Sequence, residues 1–318
     1  MKNRNEFFEY VKENVKEYLP PAFEKAQISV EELRKENDRI SHVLTIPFPG
    51  DEVRVNIGMD GFYQCYQDGQ GLDDCVGDIA DLCIAYKDME NVKGIVDVSD
   101  YEEIKGRLMI RLCDPELNQK YLEDKIYTRH GDFAAVYRVA IPKSEEDIIS
   151  FTVTEMLMKE WEVSLEQLHR DSILADKKRQ PLLNSLDELL GFELVMNEKP
   201  QNLLEEGTEY HPTGTRTLCL TNENKTYGAS LILHDDIMKR AGEILDSDFY
   251  VLPSSIHETL FIADTETSSV EGLSSMVKEI NETQVKLEDK LSDKVQYYDR
   301  KLGVLENAEA RERRVSFS

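Results

Sequence analysis

The sequence predicts an α+β fold, in which an N-terminal β-meander with covering helices precedes a C-terminal mixed α/β unit. Three observations lead to this prediction. The chain begins with apolar residues at helical spacing, and three short segments rich in β-branched residues follow before residue 60. Near the C-terminus, the run Phe249 to Asp264 contains two apolar, β-rich segments and is followed by a capped helix.

The first predicted element is an amphipathic helix. It cannot continue far beyond Pro20-Pro21, because proline has no backbone N–H to donate. The segments 26–35, 40–46 and 53–59 alternate partially and are separated by residues that favour turns, so they predict a three-stranded meander. The apolar positions of the helix are Phe7, Phe8, Val11, Val15 and Tyr18.

A helix that covers the meander is predicted to begin after Asp68-Gly-Gln-Gly71. Asp73 and Asp74 lie near the positive end of its dipole, where carboxylates are stabilising. The preceding aromatic run, Phe62 to Tyr66, is interpreted as the edge of a core. The apolar stripe of the helix consists of Leu72, Cys75, Val76, Ile79, Cys83 and Tyr86.

Two buried strands are predicted next, over 107–113 and 133–141, with a helix over 115–122 between them. The polar stretch Pro142 to Asp147 then precedes a largely helical run, so we place a domain boundary after residue 142. The resulting parts are an N-terminal α+β unit (1–142), a C-terminal α/β unit (143–303) and a charged tail (304–318).

The C-terminal unit is predicted to contain a helix that begins at the capping box Ser164-Leu-Glu-Gln167. The segments 216–221 and 227–233 are expected to form a β-hairpin around a short polar turn. A second capping box, Ser268-Ser-Val-Glu271, predicts the helix that follows the Phe249 to Asp264 strand pair. A helix before that pair is predicted from the apolar residues Ile237, Met238, Ala241, Ile244 and Leu245.

The composition disfavours several classes of protein. With 63 acidic and 38 basic residues, the chain carries a formal net charge of −25, which opposes approach to nucleic-acid phosphates and to anionic lipid. We therefore expect no direct nucleic-acid binding and no membrane association, and we leave a protein partner open. The five cysteines form no Cys-x-x-Cys pair, and no apolar run has the length of a transmembrane helix. These features indicate a cytoplasmic protein with reduced thiols.

Motifs of well-defined chemistry are absent from the sequence. The six histidines are never three or four residues apart, so no helix carries a zinc-hydrolase pair, and Asp68-Gly-Gln-Gly71 breaks the ligand order of a calcium loop. Gly69-Gln-Gly71 is only half of a dinucleotide-binding fingerprint. Neither a phosphate-binding loop nor a nucleophile elbow occurs. We therefore expect neither a cofactor nor a metal ion.

One local cluster combines hydroxyl, imidazole and carboxylate groups beside strand ends: Ser254, Ser255, His257 and Glu258. In an enzyme, the imidazole would activate a serine hydroxyl, and Glu258 or Asp264 would orient the imidazole. Alternation along an extended chain, however, directs His257 and Glu258 to opposite faces. The cluster is therefore interpreted as a turn with a hydrogen-bonding His257. Its four residues are candidates for binding a partner or ligand, and catalysis is the alternative.

Six stretches spread over almost the whole chain carry a family resemblance: Phe62 to Gly69, Ala134 to Tyr137, Tyr227 to Ala229, Leu252 to Glu258, Val277 to Val285 and Leu291 to Asp299. In this combination the chain resembles domain of unknown function 5688, a bacterial family of gut anaerobic Firmicutes. The resemblance implies no activity and assigns no catalytic residues. The tail after Gly303 lies outside the shared pattern.

These observations favour a non-enzymatic, cytosolic interaction or regulatory protein. The first alternative is an enzyme with a composite site near Ser254, His257 and Glu258, which distant carboxylates would complete. The second alternative is an acidic protein that mimics nucleic acid and inhibits a defence system. That alternative requires the acidic residues to form one continuous ridge on the surface.

Overall fold

Helices and antiparallel strands occur in both of the units into which the chain divides, Met1–Asp97 and Val98–Ser318. This arrangement confirms the predicted α+β class. The computed structural model describes residues 1–49, 54–89, 98–142, 148–192, 200–212, 216–265 and 268–316.

The first unit opens with helix α1 (Arg4–Asn14), as predicted. Its N-terminus is closed by a capping box. The Asn3 side-chain oxygen accepts a hydrogen bond from the Glu6 amide at 3.0 Å, and the Glu6 carboxylate accepts one from the Asn3 amide at 2.9 Å. Three antiparallel strands in chain order then form the predicted meander: β1 (Ser29–Arg34), β2 (Ile40–Pro47) and β3 (Arg54–Gly58).

Two further helices, α2 (Asp60–Gln67) and α3 (Leu72–Met89), share one apolar core with α1 and the meander. Tyr63 and Tyr66 of α2 lie partly buried against this core, which agrees with the predicted core edge. The covering helix is therefore present where the sequence predicts it. The residues of its stripe that are buried in the core are Cys75, Val76, Ile79 and Cys83.

The second unit opens with a short helix and a four-stranded antiparallel sheet: α4 (Tyr101–Ile104), β4 (Leu108–Cys113), β5 (Tyr127–His130), β6 (Phe133–Pro142) and β7 (Ile148–Thr152). Strand β6 pairs with β4 on one side and with β5 and β7 on the other. Met109 lies opposite Arg138, and Arg111 lies opposite Val136. Because side chains alternate along a strand, Arg111 and Arg138 lie on the same face of the sheet.

The helix predicted over 115–122 is wrong. These residues form turns, and one turn of 3₁₀ helix follows at Leu122–Asp124. The Asp114 carboxylate accepts a hydrogen bond from the Glu116 amide at 2.8 Å, and the Asn118 side chain donates to the Asp114 carbonyl at 2.9 Å. Such side-chain bonds give the backbone an alternative to helical hydrogen bonding.

Helices α5 (Glu155–Glu160) and α6 (Leu165–Lys177) follow the four-stranded sheet. The Ser164 hydroxyl accepts a hydrogen bond from the Gln167 amide at 3.1 Å, so Ser164 caps α6 as predicted. Helix α6 packs against β4.

A six-stranded antiparallel sheet and its neighbouring helices form the rest of the second unit. The strands are β8 (Pro181–Ser185), β9 (Thr217–Asn222), β10 (Phe249–Leu252), β11 (Thr259–Ala263), β12 (Gln296–Asp299) and β13 (Val304–Asn307). The helices are α7 (Leu186–Phe192), α8 (Asp235–Leu245), α9 (Val270–Thr283) and α10 (Ala308–Ser316). The spatial order of the strands is β13-β12-β10-β11-β9-β8. Strands β10 and β11 are the predicted pair, with Leu252 opposite Leu260.

The hairpin predicted for 216–221 and 227–233 is wrong, because Gly228–Leu233 forms a 3₁₀ helix. Tyr227 has a left-handed backbone with φ of 55°, which ends the extended conformation. The Asn222 side chain closes the preceding loop, since it accepts from the Thr226 amide at 3.1 Å and donates to the Thr226 carbonyl at 2.9 Å. Strand β9 pairs with β8 and β11 instead.

Two details near the C-terminus differ from the expectation. The cap of α9 is Ser269, whose hydroxyl accepts from the Gly272 amide at 3.1 Å, whereas the Ser268 hydroxyl accepts from the Thr265 amide at 3.2 Å. The segment 304–318, interpreted as a charged tail, supplies strand β13 and helix α10. The tail is therefore built into the six-stranded sheet at its edge.

The domain boundary predicted after residue 142 falls on 143–147, which lie outside the described residues. Strands β6 and β7, on either side of that segment, pair from Arg138 opposite Thr152 to Pro142 opposite Ile148. The two units divide earlier in the chain, between Asp97 and Val98. The four-stranded sheet therefore belongs wholly to the second unit.

Candidate functional site

The predicted cluster lies in the connection between β10 and β11, in the second unit. This connection runs beside residues 289–292 and is held there by backbone hydrogen bonds. The Ile256 amide donates to the Asp289 carbonyl at 2.8 Å, and the Leu291 amide donates to the Ser254 carbonyl at 3.0 Å. The position of His257 is therefore fixed by main-chain contacts on both sides.

The two serines do not bond to the imidazole within the described part of the chain. The Ser255 hydroxyl accepts a hydrogen bond from the backbone amide of His257 at 3.0 Å, which is a local turn. Ser254 is half-buried and contributes its carbonyl to the contact with Leu291. Both serines thus shape the connection.

The His257 ring uses both of its nitrogens inside the protein. Nδ1 accepts a hydrogen bond from the Tyr227 amide at 3.3 Å, so Nδ1 carries no proton. Nε2 therefore carries the proton and donates to the Asp289 carboxylate at 3.2 Å. The rings of His257 and Tyr227 are nearly parallel, at an interplanar angle of 7° and a centroid distance of 6.0 Å.

Glu258 points away from this arrangement. It is exposed, and its Oε2 lies 3.9 Å from the Cys219 thiol. Burial, and then the nearby Glu258 carboxylate, raise the pKa of the Cys219 thiol to about 12. The thiol is therefore protonated and unreactive at neutral pH. His257 and Glu258 do not act as a pair, as their alternation predicts.

Tyr227 adopts a backbone conformation that side chains rarely occupy, with φ of 55°. The next residue is Gly228, where a Cβ would clash with the His257 carbonyl oxygen and lie 2.8 Å from the Thr221 hydroxyl oxygen. That hydroxyl also donates to the His257 carbonyl at 2.9 Å. A strained backbone persists where its surroundings hold it firmly, and such positions cluster at functional sites.

Two arginines from the four-stranded sheet approach the Tyr227 ring. The guanidinium carbon of Arg111 lies 5.3 Å from the ring centroid, and that of Arg138 lies 6.0 Å from it. Arg111 also donates to the Glu288 carbonyl at 2.8 Å, and Arg138 donates to the Ser150 and Thr152 hydroxyls at 3.0 Å each. Both cations are within the range of attractive cation–π contact.

A third arginine, Arg179, follows α6 and contacts the residue before Tyr227. Its Nη2 donates to the Thr226 carbonyl at 3.0 Å, and its Nη1 lies 3.7 Å from Oδ1 of Asp176. Asp176 is buried and accepts from the Ser230 hydroxyl through its other oxygen. Burial raises the pKa of Asp176 to about 6, although Ser230 and Arg179 oppose the shift.

We refer to Tyr227, His257, Asp289, Arg111, Arg138 and Arg179 together as the Tyr227 site. The structure places His257, the predicted candidate, in it, with Ser255 adjacent through its contact to the His257 amide. Sequence reasoning missed the three arginines, which come from β4, β6 and the end of α6. The sequence did single out Tyr227, but only as part of Tyr227-Gly228-Ala229, one of the stretches of the family resemblance.

A second group of titratable residues lies elsewhere in the second unit. The rings of His130 and His169 stack at a centroid distance of 4.8 Å, and His169 Nδ1 bonds with the Tyr137 hydroxyl at 2.9 Å. Burial lowers the pKa of both histidines. Within the described residues, no group of three or more histidine, cysteine or acidic side chains has the geometry to hold a metal ion.

The chain matches the model of one protein family. The model of a family of unknown function, DUF5688, matches residues 4–300. No curated protein and no solved structure shows significant similarity. None of the helices in the described ranges has both the length and the apolar character that crossing a bilayer requires.

Proposed function

Since the chain belongs to the family of unknown function DUF5688, we propose its function from geometry: it is a non-enzymatic interaction or regulatory protein that recognises a protein partner through the Tyr227 site. The proposal includes a cytoplasmic location. All five cysteines of the chain lie in the described ranges and are thiols rather than disulfides, which suits a reducing compartment. The net charge of −25 favours a protein partner over nucleic acid.

The observation that carries the proposal is the hydrogen bonding of His257. A general base needs an accepting nitrogen directed at the nucleophile, and a carboxylate on the other nitrogen to orient the ring. Here Asp289 takes the orienting position, at 3.2 Å from Nε2. The accepting nitrogen, however, is occupied by the backbone amide of Tyr227 at 3.3 Å. The imidazole therefore positions the Tyr227 turn rather than activating a hydroxyl.

The remaining features of the site support recognition. The His257 and Asp289 side chains are 31% and 30% exposed, and Tyr227 is half-buried, so the site meets solvent. Tyrosine and arginine are the residue types that contribute most to binding energy in interfaces. The rigid turn fixes the Tyr227 ring in advance, which lowers the entropic cost of binding.

The test is affinity purification of the full chain from its native host, followed by mass spectrometry. It compares the wild type with Tyr227→Asn, since asparagine tolerates a left-handed backbone and the variant loses only the ring. Tyr127→Asn is the matched control, because Tyr127 is a partly exposed tyrosine of the same unit. Melting temperatures verify that all three proteins are folded.

We expect a stoichiometric partner with the wild type and the control, and its loss with Tyr227→Asn. Recovery of the same partner with Tyr227→Asn would contradict the assignment of the site. Recovery of the protein alone with a bound small molecule that it converts would show an enzyme instead.

A further inference from the structure

A cavity of about 850 Å³ opens at one end of the β-meander in the first unit. Its walls come from the segment 22–29, which leads into β1, from the end of β2 and from Arg54, the first residue of β3. All of these residues belong to Met1–Asp97, so the cavity lies within one unit. Its volume falls in the range of about 300–1,000 Å³ that is typical of small-molecule sites.

Two cations, Lys25 and Arg54, line this cavity, and both are exposed. Among the described residues, neither side chain makes a hydrogen bond or an ion pair, and no carboxylate lines the cavity. Arg4 and Lys12 of the same unit, by contrast, are each paired with an acidic side chain. In a chain with 63 acidic and 38 basic residues, two unpaired cations at one cavity leave positive charge available to an anion.

The register of the meander places Arg54 on the cavity side of the sheet. Arg54 lies opposite Pro47, and Thr45 lies opposite Asn56. Because side chains alternate along a strand, Arg54, Pro47 and Thr45 share one face. The Thr45 hydroxyl donates to Asn56 Oδ1 at 2.8 Å and is thus committed to its neighbour. The N–H donors of the Arg54 guanidinium remain available on this face.

Phe48 gives the cavity a fixed apolar wall. It is 5% exposed, and its ring packs edge-on against Phe23, at a centroid distance of 6.0 Å and an interplanar angle of 73°. Both rings belong to the core of the first unit. Ile28 also lines the cavity and is partly buried against the same core. A wall that the core holds in place needs no ordering when a ligand binds, which lowers the cost of binding.

We propose that this cavity binds a small organic anion, whose carboxylate or phosphate group contacts Arg54 and Lys25 and whose apolar part lies against Phe48 and Ile28. The planar guanidinium fork matches two oxygens of either group, and the Lys25 ammonium adds a point charge. The apolar part contributes through the surface that it removes from water. This ligand binds the first unit, whereas the protein partner binds the Tyr227 site of the second.

The experiment measures the binding of defined compounds to the full chain by isothermal titration calorimetry and ligand-observed NMR. Benzoate and phenyl phosphate carry both a ring and a charged group. Acetate and inorganic phosphate carry the charged group alone, and benzyl alcohol carries the ring alone. Sodium chloride keeps the ionic strength equal in every titration, because salt screens exposed charges. The benzoate and phenyl phosphate arms distinguish a carboxylate ligand from a phosphate ligand.

We expect one of the two ring-bearing anions to bind in a one-to-one ratio. It should bind roughly tenfold more tightly than its counterpart without the ring, because the ring removes apolar surface from water. Benzyl alcohol should bind more weakly than that anion, since it offers the two cations no charge.

Four variants assign the binding to the two cations. Arg54→Gln should weaken it about tenfold, as expected for the loss of a charge-assisted hydrogen bond. Lys25→Gln should weaken it less, because an ammonium lacks the planar fork. Arg34→Gln and Lys35→Gln are the matched controls, since both are exposed cations of β1 or its end that do not line the cavity. The controls should bind as the wild type does, and melting temperatures verify that all variants are folded.

Equal binding of benzoate, phenyl phosphate and benzyl alcohol by the wild type would overturn the inference, because the cations would then contribute nothing. Failure of both ring-bearing anions to bind would overturn it as well, as would unchanged affinity in the double variant Lys25→Gln/Arg54→Gln. If Arg54→Gln does not fold, Arg54→Lys, which keeps the charge and loses the fork, takes its place. All of these results leave the proposed function intact, since Tyr227→Asn tests it separately in the second unit.

Discussion

We expect the second unit to lose stability in mild acid because His234 is buried at the start of α8. The residue is 2% exposed, and neither ring nitrogen has a hydrogen-bond partner among the described residues. Burial, and then the charge of Lys177, lower the pKa of His234 from 6.5 to about 4. His234 thus binds its proton more weakly in the folded state than in the unfolded state.

The sign and the size of the effect follow from linkage. Because the folded pKa is the lower one, the contribution to stability is fully present above pH 6.5 and is lost as the pH falls from 6.5 through 4. The two pKa values differ by about 2.5, and one pKa unit corresponds to about 1.36 kcal/mol, so the complete loss is about 3 kcal/mol. At about pH 5 the loss is about 2 kcal/mol.

The assay measures urea unfolding of the wild type and of His234→Leu, which cannot take up the proton, between about pH 7.5 and about pH 5. Trp161, the one tryptophan, reports on the second unit, since it is buried and its Nε1 donates to the Val98 carbonyl at 2.8 Å. The difference between the two proteins isolates His234, because the contributions of His169 and the other titrating groups are common to both.

As the pH falls across this range, the free energy of unfolding of the wild type should decrease by about 2 kcal/mol more than that of His234→Leu. His211→Leu is the control, since the His211 side chain is 81% exposed, and its curve should run parallel to that of the wild type. Parallel curves for His234→Leu and wild type would refute the reasoning, because burial would then not disfavour the imidazolium form.

Three further predictions concern the turn and the first unit. Replacing both His257 and Glu258 by Ala should lower the melting temperature of the second unit. The Tyr227 amide then loses its hydrogen-bond acceptor, at a cost of about 1–3 kcal/mol. A double variant that stays fully folded but loses a catalytic activity of the wild type would instead show an enzyme. Gly228→Ala should lower the free energy of unfolding in urea by about 1–3 kcal/mol, since the added Cβ would meet the His257 carbonyl. Gly58→Ala is the control, because a Cβ added there would have no atom within 4 Å. Equal effects of the two substitutions would contradict the tight packing of the turn. Asn3→Ala should lower the stability of the first unit by about 1 kcal/mol, measured by circular dichroism, because α1 loses its cap; no change would show that the cap is not needed.

Elements whose apolar pattern agreed with their local signals were predicted correctly. Helix α8 is one example: its apolar residues recur at helical spacing, and Ile237, Met238, Ala241 and Leu245 are buried. The strands β10 and β11 are another, because a short polar connection separates two β-rich runs. In both cases burial and local preference favour the same structure.

The errors occurred where side chains direct the backbone. Residues 115–122 have helical spacing, but Asp114 and Asn118 bond to neighbouring backbone groups. Residues 227–233 are apolar and resemble a strand, yet Tyr227 has a left-handed backbone and its amide donates to His257. That contact joins residues 30 positions apart. Periodicity within a short window carries no information about it.

The Tyr227 turn explains why the site could be predicted only in part. His257 stood out because a hydroxyl, an imidazole and a carboxylate were neighbours in sequence, but the structure separates His257 from Glu258 and pairs it with Asp289. The arginines reach the turn from the four-stranded sheet and from the end of α6, whereas His257 comes from the six-stranded sheet. The site thus exists only when both sheets of the second unit are assembled. A rigid aromatic turn held by both sheets is costly to build for stability alone, because the left-handed backbone of Tyr227 is itself unfavourable. The proposed recognition of a partner would account for this cost, because a Tyr227 ring that is fixed in advance loses less conformational entropy on binding.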